Sequence, residues 1–160
     1  MKTRINPKLR RELWGPGPWA DEPDEASWTD QITGLPCAIA RGGHAALCGY
    51  VGVPEGHACY GKSELIIEAY LNEGVQGGVT SASHRAPGYT GDTNSPLWWI
   101  GFDCAHYRDL SLGLISVIRA VYRDFAFAKA EVTRLAGQLL APMEKLAAVA
   151  RISPHNQEEE

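Results

Sequence analysis

The chain lacks the features that mark membrane, secreted and nucleic-acid-binding proteins. No run approaches the roughly 18 apolar residues of a membrane-spanning helix, and residues 1–4 lead into polar, proline-rich sequence instead of a secretory hydrophobic segment. Acidic residues exceed basic ones only slightly, 19 against 15, so the chain has no basic footprint for nucleic acid or an anionic bilayer. We therefore expect a cytoplasmic protein that binds neither nucleic acid nor a membrane.

Cysteine is also scarce, with four residues in 160. In this size and compartment, free thiols or ligands are more typical than a disulfide framework. A zinc site is an alternative, but neither His-x-Cys nor Cys-x-His matches the paired Cys-x2-Cys spacing of structural zinc, and we expect no metal and no cofactor. The zinc candidates would be Cys37, Cys48, His57, Cys59, Cys104 and His106.

Length and composition predict one α+β domain with an arm and a tail. Residues 1–33 are poor in aliphatic side chains and rich in Trp, Pro, Gly and acid, which predicts an N-terminal arm lying across the domain with Trp28 docked. Residues 34–152 are the α+β domain. Residues 153–160 are an acidic tail.

Hydrophobic patterning predicts an antiparallel sheet of about four strands. Residues 35–40 and 46–53 form a hairpin around a glycine-containing loop. Residues 74–81 resemble a strand interrupted by glycines, and residues 98–103 form another. The turn-rich residues 82–97 are long enough to be a rim or a lid.

Two helices complete the predicted domain. Residues 62–72 suit a short helix with Ser63 as its N-cap, although a strand over 65–67 is the alternative. A long C-terminal helix, capped by Asp124, is predicted to cover the sheet and to be kinked or divided at Pro142. Its apolar stripe consists of Phe125, Ala128, Val132, Leu135, Ala136, Leu139, Met143, Leu146 and Ala150.

In the stretch from Trp98 to Asp109, a pattern typical of a buried strand is followed directly by polar side chains. Four bulky apolar residues and a glycine are followed by carboxylates, a thiol, an imidazole, a phenol and a guanidinium. We expect a polar and aromatic pocket at the end of this strand. The predicted ligand-binding residues are Trp99, Asp103, His106, Asp109, Gln76, Thr80, Arg41 and His57.

Several short motifs resemble a family of small proteins from phages, prophages and related bacterial genomes. The resemblance implies a phage or prophage context and a shared pocket, and it brings no activity with it. Gln76 stands where the family's His-Gly-Gly-x-Thr element has histidine, and glutamine hydrogen-bonds but does not titrate. The matching motifs are Gly34 to Cys37, Arg41, Cys48 to His57, Trp98 to His106 with Asp109, and Tyr122 to Asp124 followed by Leu135 to Leu139.

The favoured function is capture of a small nucleotide-like molecule, in the phage context a host immune signal. Aromatic side chains can stack on a base at about 1–3 kcal/mol per contact, and the bare amides of Gly77 and Gly78 can approach a phosphate. Arginine side chains, among them Arg41, Arg85 and Arg108, can grip phosphate in a bidentate manner. Simple binding needs no catalyst and ranks above turnover, so we lean away from an enzyme.

Two alternatives remain open. A small hydrolase or phosphodiesterase would use His106 with Asp103 or Asp109, because an imidazole oriented by a carboxylate transfers protons near neutral pH. A protein-interaction inhibitor without a small ligand would act through the C-terminal helix, whose wide apolar face would also suit a homodimer.

Overall fold

An antiparallel sheet with a long helix on one face is the framework of the protein. The computed structural model describes residues 1–113 and 119–152, with side chains up to residue 140. The strands are β1 (Lys2–Arg4), β2 (Glu25–Thr29), β3 (Pro36–Arg41), β4 (Leu47–Val53), β5 (Ser81–Ser83) and β6 (Trp98–Asp103), and the helices are α1 (Glu64–Tyr70) and α2 (Phe125–Ile152). The order β1-β2-β3-β4-β6-β5 confirms the α+β class, with six strands where about four were expected.

The additional strands come from the segment predicted to be an arm. β2 pairs with β3 through Ala26 opposite Ile39 and Trp28 opposite Cys37, so this segment extends the sheet. The ring of Trp28 packs partly buried against the core, as expected. β1 is three exposed residues without hydrophobic alternation, and its sequence carries no strand signal of its own.

The strand predicted over residues 74–81 is wrong except at its end. β5 begins only at Ser81, because Gly74, Gly77 and Gly78 have φ of +55°, +66° and +87°. Extended strands need negative φ, so these glycines bend the chain instead of pairing it.

Helix α1 follows the predicted N-cap Ser63, and most of its apolar side chains face solvent. Ile67 is its buried residue, whereas Leu65, Ile66 and Tyr70 are exposed. Ser63 occupies the N-cap position without a side-chain capping bond, and its carbonyl accepts the Ile67 amide at 3.0 Å.

Helix α2 packs on the sheet through Ala128, Val132, Leu135, Ala136 and Leu139 of the predicted stripe. The side chains of Met143, Leu146 and Ala150 lie outside the part of the chain that the structure describes. Asp124 caps it, since Oδ1 accepts the Phe127 amide at 2.8 Å. The helix is continuous across Pro142 and is not divided there. Among the residues that the structure describes, no helix is long and apolar enough to cross a bilayer. The buried residues of α2 in the described part are Ala128, Val132, Leu135, Ala136, Gln138 and Leu139.

The two faces of the sheet differ because side chains alternate along each strand. The face against α2 carries Ile39, Val51, Ile100 and Phe102, all buried. Gly49 belongs to the same face, and a Cβ there would lie 2.4 Å from Phe102 and 2.5 Å from Val132, so glycine permits the close approach of α2. We call the opposite side the open face.

A buried ionic network ties the N-terminal segment to the sheet. The Asp24 carboxylate is fully buried and accepts a hydrogen bond from Arg41 Nε at 2.9 Å and from the Asn6 amide at 2.9 Å. Arg11 pairs with the same carboxylate. Because each charge has an opposite partner, the network is compatible with its burial.

The network extends to the start of α2 through Glu22. Glu22 Oε2 accepts the Tyr122 hydroxyl at 2.5 Å and Arg41 Nη2 at 3.3 Å. Oε1 accepts the Phe125 amide at 2.9 Å, which satisfies one of the free N–H groups of the helix start. We call Arg11, Glu22, Asp24, Arg41 and Tyr122 the Asp24–Arg41 network.

Asp24→Asn is expected to lower the free energy of unfolding by about 3–5 kcal/mol, because it removes the buried carboxylate that Arg11 and Arg41 share and leaves Arg41 with Glu22 alone, at 3.3 Å. The measurement is urea denaturation at neutral pH. Arg10→Gln removes the exposed pair between Arg10 and Glu12 and should leave the urea midpoint essentially unchanged. A similar small loss in both variants would contradict a central role for the network.

Candidate functional site

The loop between β5 and β6, residues 84–97, lies across the open face, and we call it the covering loop. The Tyr89 amide donates to Glu25 Oε1 on β2 at 2.7 Å, although β5 and β2 are at different ends of the sheet. Arg4 pairs with the other oxygen of Glu25 at 2.8 Å and lies 5.0 Å from the centre of the Tyr89 ring. The predicted rim or lid is therefore anchored to β1 and β2.

A polar cavity of about 240 Å3 lies between this loop and the strands β3, β4 and β5. We call it the central cavity. It is lined by Tyr50, Ser81, Ser83, Arg85, Pro87 and Tyr89, among others. The open face is recessed here because its residues include Ala40 and Gly101. A Cβ on Gly101 would lie 2.5 Å from the Tyr50 ring, which therefore occupies the space above this glycine.

The central cavity is lined mainly by hydrogen-bond donors. Burial raises the pKa of the Tyr50 phenol far above its ordinary value, and the nearby Cys48 and Asp103 raise it further, so the phenol keeps its proton at neutral pH. Arg85 is exposed at the rim and adds a positive charge. Phenol, hydroxyls and guanidinium together suit a ligand rich in acceptors and negative charge.

A second cavity, of about 370 Å3, lies beside the first near the sheet edge. We call it the edge cavity. Lys2, Arg4, Glu25 and Ser27 are among the residues that line it, and Pro87 of the covering loop lines both cavities. The two cavities therefore adjoin beneath the same loop.

Four of the predicted site residues meet at the end of β6. The buried Asp109 carboxylate accepts hydrogen bonds from Gln76 Nε2 at 3.0 Å, Arg123 Nε at 3.0 Å and the His106 amide at 3.2 Å. These internal donors occupy the carboxylate, which suits a structural role. Gln76, where the resembling family has a titrating histidine, donates a hydrogen bond to Asp109 in this structure.

His106 and Asp103 form a more accessible pair within this group. His106 Nε2 lies 3.2 Å from Asp103 Oδ1, and their side chains are 30% and 31% exposed. The distance is that of an ion pair, but Nε2 makes no aligned hydrogen bond. The ring rests against Gly77, where a Cβ would lie 1.8 Å from Nε2.

The remaining predicted residues are engaged elsewhere. Trp99 lies on the open face, and its indole donates to Ser95 Oγ at 3.2 Å at the base of the covering loop. Thr80 is exposed where β5 begins. Arg41 belongs to the Asp24–Arg41 network and borders the central cavity. His57 bonds the Leu139 carbonyl through Nε2 at 2.9 Å and accepts the Cys59 amide through Nδ1 at 3.0 Å.

The thiols are unsuited to nucleophilic chemistry. All four cysteines are unpaired. Burial raises the pKa of Cys37 and Cys104 to about 12, and that of Cys48 and Cys59 to about 11, so the thiolate is scarce at neutral pH. Within residues 1–113 and 119–152, no group of three or more His, Cys, Asp or Glu side chains is arranged to hold a metal ion.

The sequence pattern does not reveal all of the groove. It predicts Arg85 as a phosphate contact, but it does not predict Ser81 and Ser83 of the central cavity or Lys2 of the edge cavity. The two serines are separated by one residue, as side chains on one strand face are, but a strand of three residues gives too little pattern to recognise.

These features define an α+β protein with a donor-lined groove on the open face of its sheet, beneath a covering loop. Comparisons of the chain with protein-family models, curated proteins and solved structures find no match. A functional interpretation therefore depends on the chemistry of the groove.

Gly77→Ala is expected to destabilise the protein by about 1–2 kcal/mol from the positive φ alone, and to displace the His106 ring. Gly137→Ala is the matched control, because nothing lies within 4 Å of a Cβ there and alanine favours a helix by about 0.5–1 kcal/mol. Thermal unfolding and the NMR signals of the His106 ring would measure both effects. Equal stability changes in the two variants would contradict this packing.

His57 should make stability depend on pH. Burial lowers its pKa, against the opposing hydrogen bond to the Leu139 carbonyl, so the folded state binds fewer protons than the unfolded state. The free energy of unfolding should therefore fall as the pH drops below about 6.5. Urea denaturation at pH 7.5 and pH 5 would show a smaller decrease in His57→Gln than in the wild type or in exposed His44→Gln. An unchanged decrease in His57→Gln would assign the dependence to other groups.

Proposed function

We propose that this protein binds a small, nucleotide-like anion in the groove on the open face and holds it without converting it. The supporting observation is the donor set of the central cavity: a protonated Tyr50 phenol, the Ser81 and Ser83 hydroxyls and the Arg85 guanidinium. Phosphate oxygens accept from such groups, and guanidinium binds them with charge-assisted hydrogen bonds.

The size of the groove fits this ligand class. Small-molecule pockets typically occupy about 300–1,000 Å3, and the adjoining cavities measure about 240 and 370 Å3. Tyr89 adds an aromatic ring at the wall of the central cavity, and a base can stack on such a ring.

Binding without turnover agrees with the chemistry of the surrounding groups. The thiols are protonated at neutral pH, and the Asp109 carboxylate is occupied by internal donors. Together with the resemblance to phage and prophage proteins, this favours sequestration of a nucleotide-derived host immune signal in the cytoplasm of the host.

A small hydrolase or phosphodiesterase is the second candidate. Its supporting observation is the pair of His106 and Asp103, 3.2 Å apart and partly exposed. Neither residue lines the central cavity, but Asp103 is close enough to Tyr50, which does line it, to raise the pKa of the phenol. An imidazole beside a carboxylate can act as a general base on a phosphate ester that reaches the pair.

An interaction inhibitor acting through α2 has less support. The stripe from Ala128 to Leu139 is buried against the sheet and is not free for a partner in this part of the helix.

The test is incubation of the protein with a panel of nucleotides, followed by chromatography before and after heat denaturation. Depletion of a nucleotide, with recovery of the intact compound only on heating, is the expected result. Recovery of a converted compound would favour the hydrolase, and His106→Gln should then abolish conversion. No depletion of any nucleotide would overturn the proposal.

Arg85→Gln is expected to weaken binding of the captured nucleotide about 10–100-fold, the equivalent of one hydrogen bond to a charged group. Isothermal titration calorimetry would measure it. Arg134→Gln removes an equally exposed guanidinium from the outer surface of α2 and should leave affinity within about twofold. Equal effects of the two substitutions would place the anion outside the central cavity.

A further inference from the structure

We infer that the ligand carries two separated anionic groups, one bound in the central cavity and the other in the edge cavity by Lys2 and Arg4. This inference rests on the proposed function and deepens it, since it specifies a class of nucleotide. Its basis is the arrangement of donors along a single row of the sheet.

The row crosses all six strands on the open face. In order of pairing, its residues are Lys2, Ser27, Ala38, Tyr50, Gly101 and Ser81. With about 4.8 Å between neighbouring strands, the ends of the row are about 24 Å apart. The edge cavity lies at the Lys2 end and the central cavity at the Tyr50 and Ser81 end.

The floor between the two ends is shallow. Ser27 and Ala38 have small side chains, Gly101 has none, and the Tyr50 ring occupies the space above that glycine. An extended molecule can therefore lie along the row beneath the covering loop. Pro87 touches both cavities and marks where such a molecule would pass under the loop.

Each end of the row provides positive charge. Arg85 lines the central cavity, and Lys2 and Arg4 line the edge cavity. The Glu25 carboxylate also lines the edge cavity, but it is already paired with Arg4 at 2.8 Å and accepts the Tyr89 amide. Lys2 has no ion-pair partner among the described residues, so the edge cavity retains a positive charge that a second anion can neutralise.

The spacing excludes a single phosphate as the partner of both ends. Lys2 lines the edge cavity and Arg85 lines the central cavity, and Pro87 is the residue that the two linings share. A phosphate bound beside Arg85 therefore lies in a different cavity from one bound beside Lys2. A mononucleotide occupies one end only. A dinucleotide with a terminal and a bridging phosphate occupies both.

The experiment compares the four 5′-mononucleotides with the corresponding 5′-phosphorylated homodinucleotides by isothermal titration calorimetry. We expect at least one dinucleotide to bind tenfold or more tightly than its mononucleotide. Lys2→Gln should remove most of this advantage while leaving mononucleotide affinity unchanged. Ser27→Asp, which places a carboxylate in the edge cavity, should remove it as well. Lys62→Gln, an exposed lysine next to α1, is the matched control and should affect neither ligand.

The outcomes separate this inference from the proposed function. If mononucleotides and dinucleotides bind equally and neither edge substitution has an effect, the inference is overturned, while loss of binding in Arg85→Gln would keep the proposed function. If no mononucleotide or dinucleotide binds, both are overturned. Circular dichroism of each variant establishes that the substitutions leave the fold intact.

Discussion

The buried Asp24 carboxylate is the constraint on which the rest of the structure depends. Its partners lie in the N-terminal segment and on β3, and Glu22 continues the contacts to the first turn of α2. Buried charges are costly unless each is paired and hydrogen-bonded, so this network tolerates few alternative arrangements. It fixes the N-terminal segment on the same side of the sheet as the start of α2.

The groove on the opposite side follows from this constraint. With Asp24 held against β3, the adjacent Glu25 points to the open face and receives both Arg4 and the Tyr89 amide. The covering loop thereby crosses the sheet and encloses space that an uncovered sheet face would leave to solvent. The ionic network thus joins the N-terminal segment to β3 and α2, while the open face and the covering loop enclose the proposed site, and Arg41 contributes to both.

Elements with long, regular patterns were predicted well. The strands near 36–41, 47–53 and 98–103, and the helix capped by Asp124, were recognised because each has enough residues to show its period. β1 and β5 have three residues each, and their existence depends on the neighbours with which they pair. Asp103, His106 and Asp109 lie within one short stretch, so their proximity could be predicted. The groove is lined by residues from several strands and a loop, so it could not be predicted.

The sequence by itself determined the local structure, which comprises the α+β class, the principal strands and the long helix. It also determined which functional groups are available, as in the polar stretch after Trp98. Only the tertiary structure decided which groups face one another. Arg41 and His57 carry suitable chemistry but turn toward buried carboxylate and carbonyl partners, while Lys2 and Ser81, distant in sequence, share one row. The reason is that strand order and register are non-local, and they alone determine which side chains meet across a sheet.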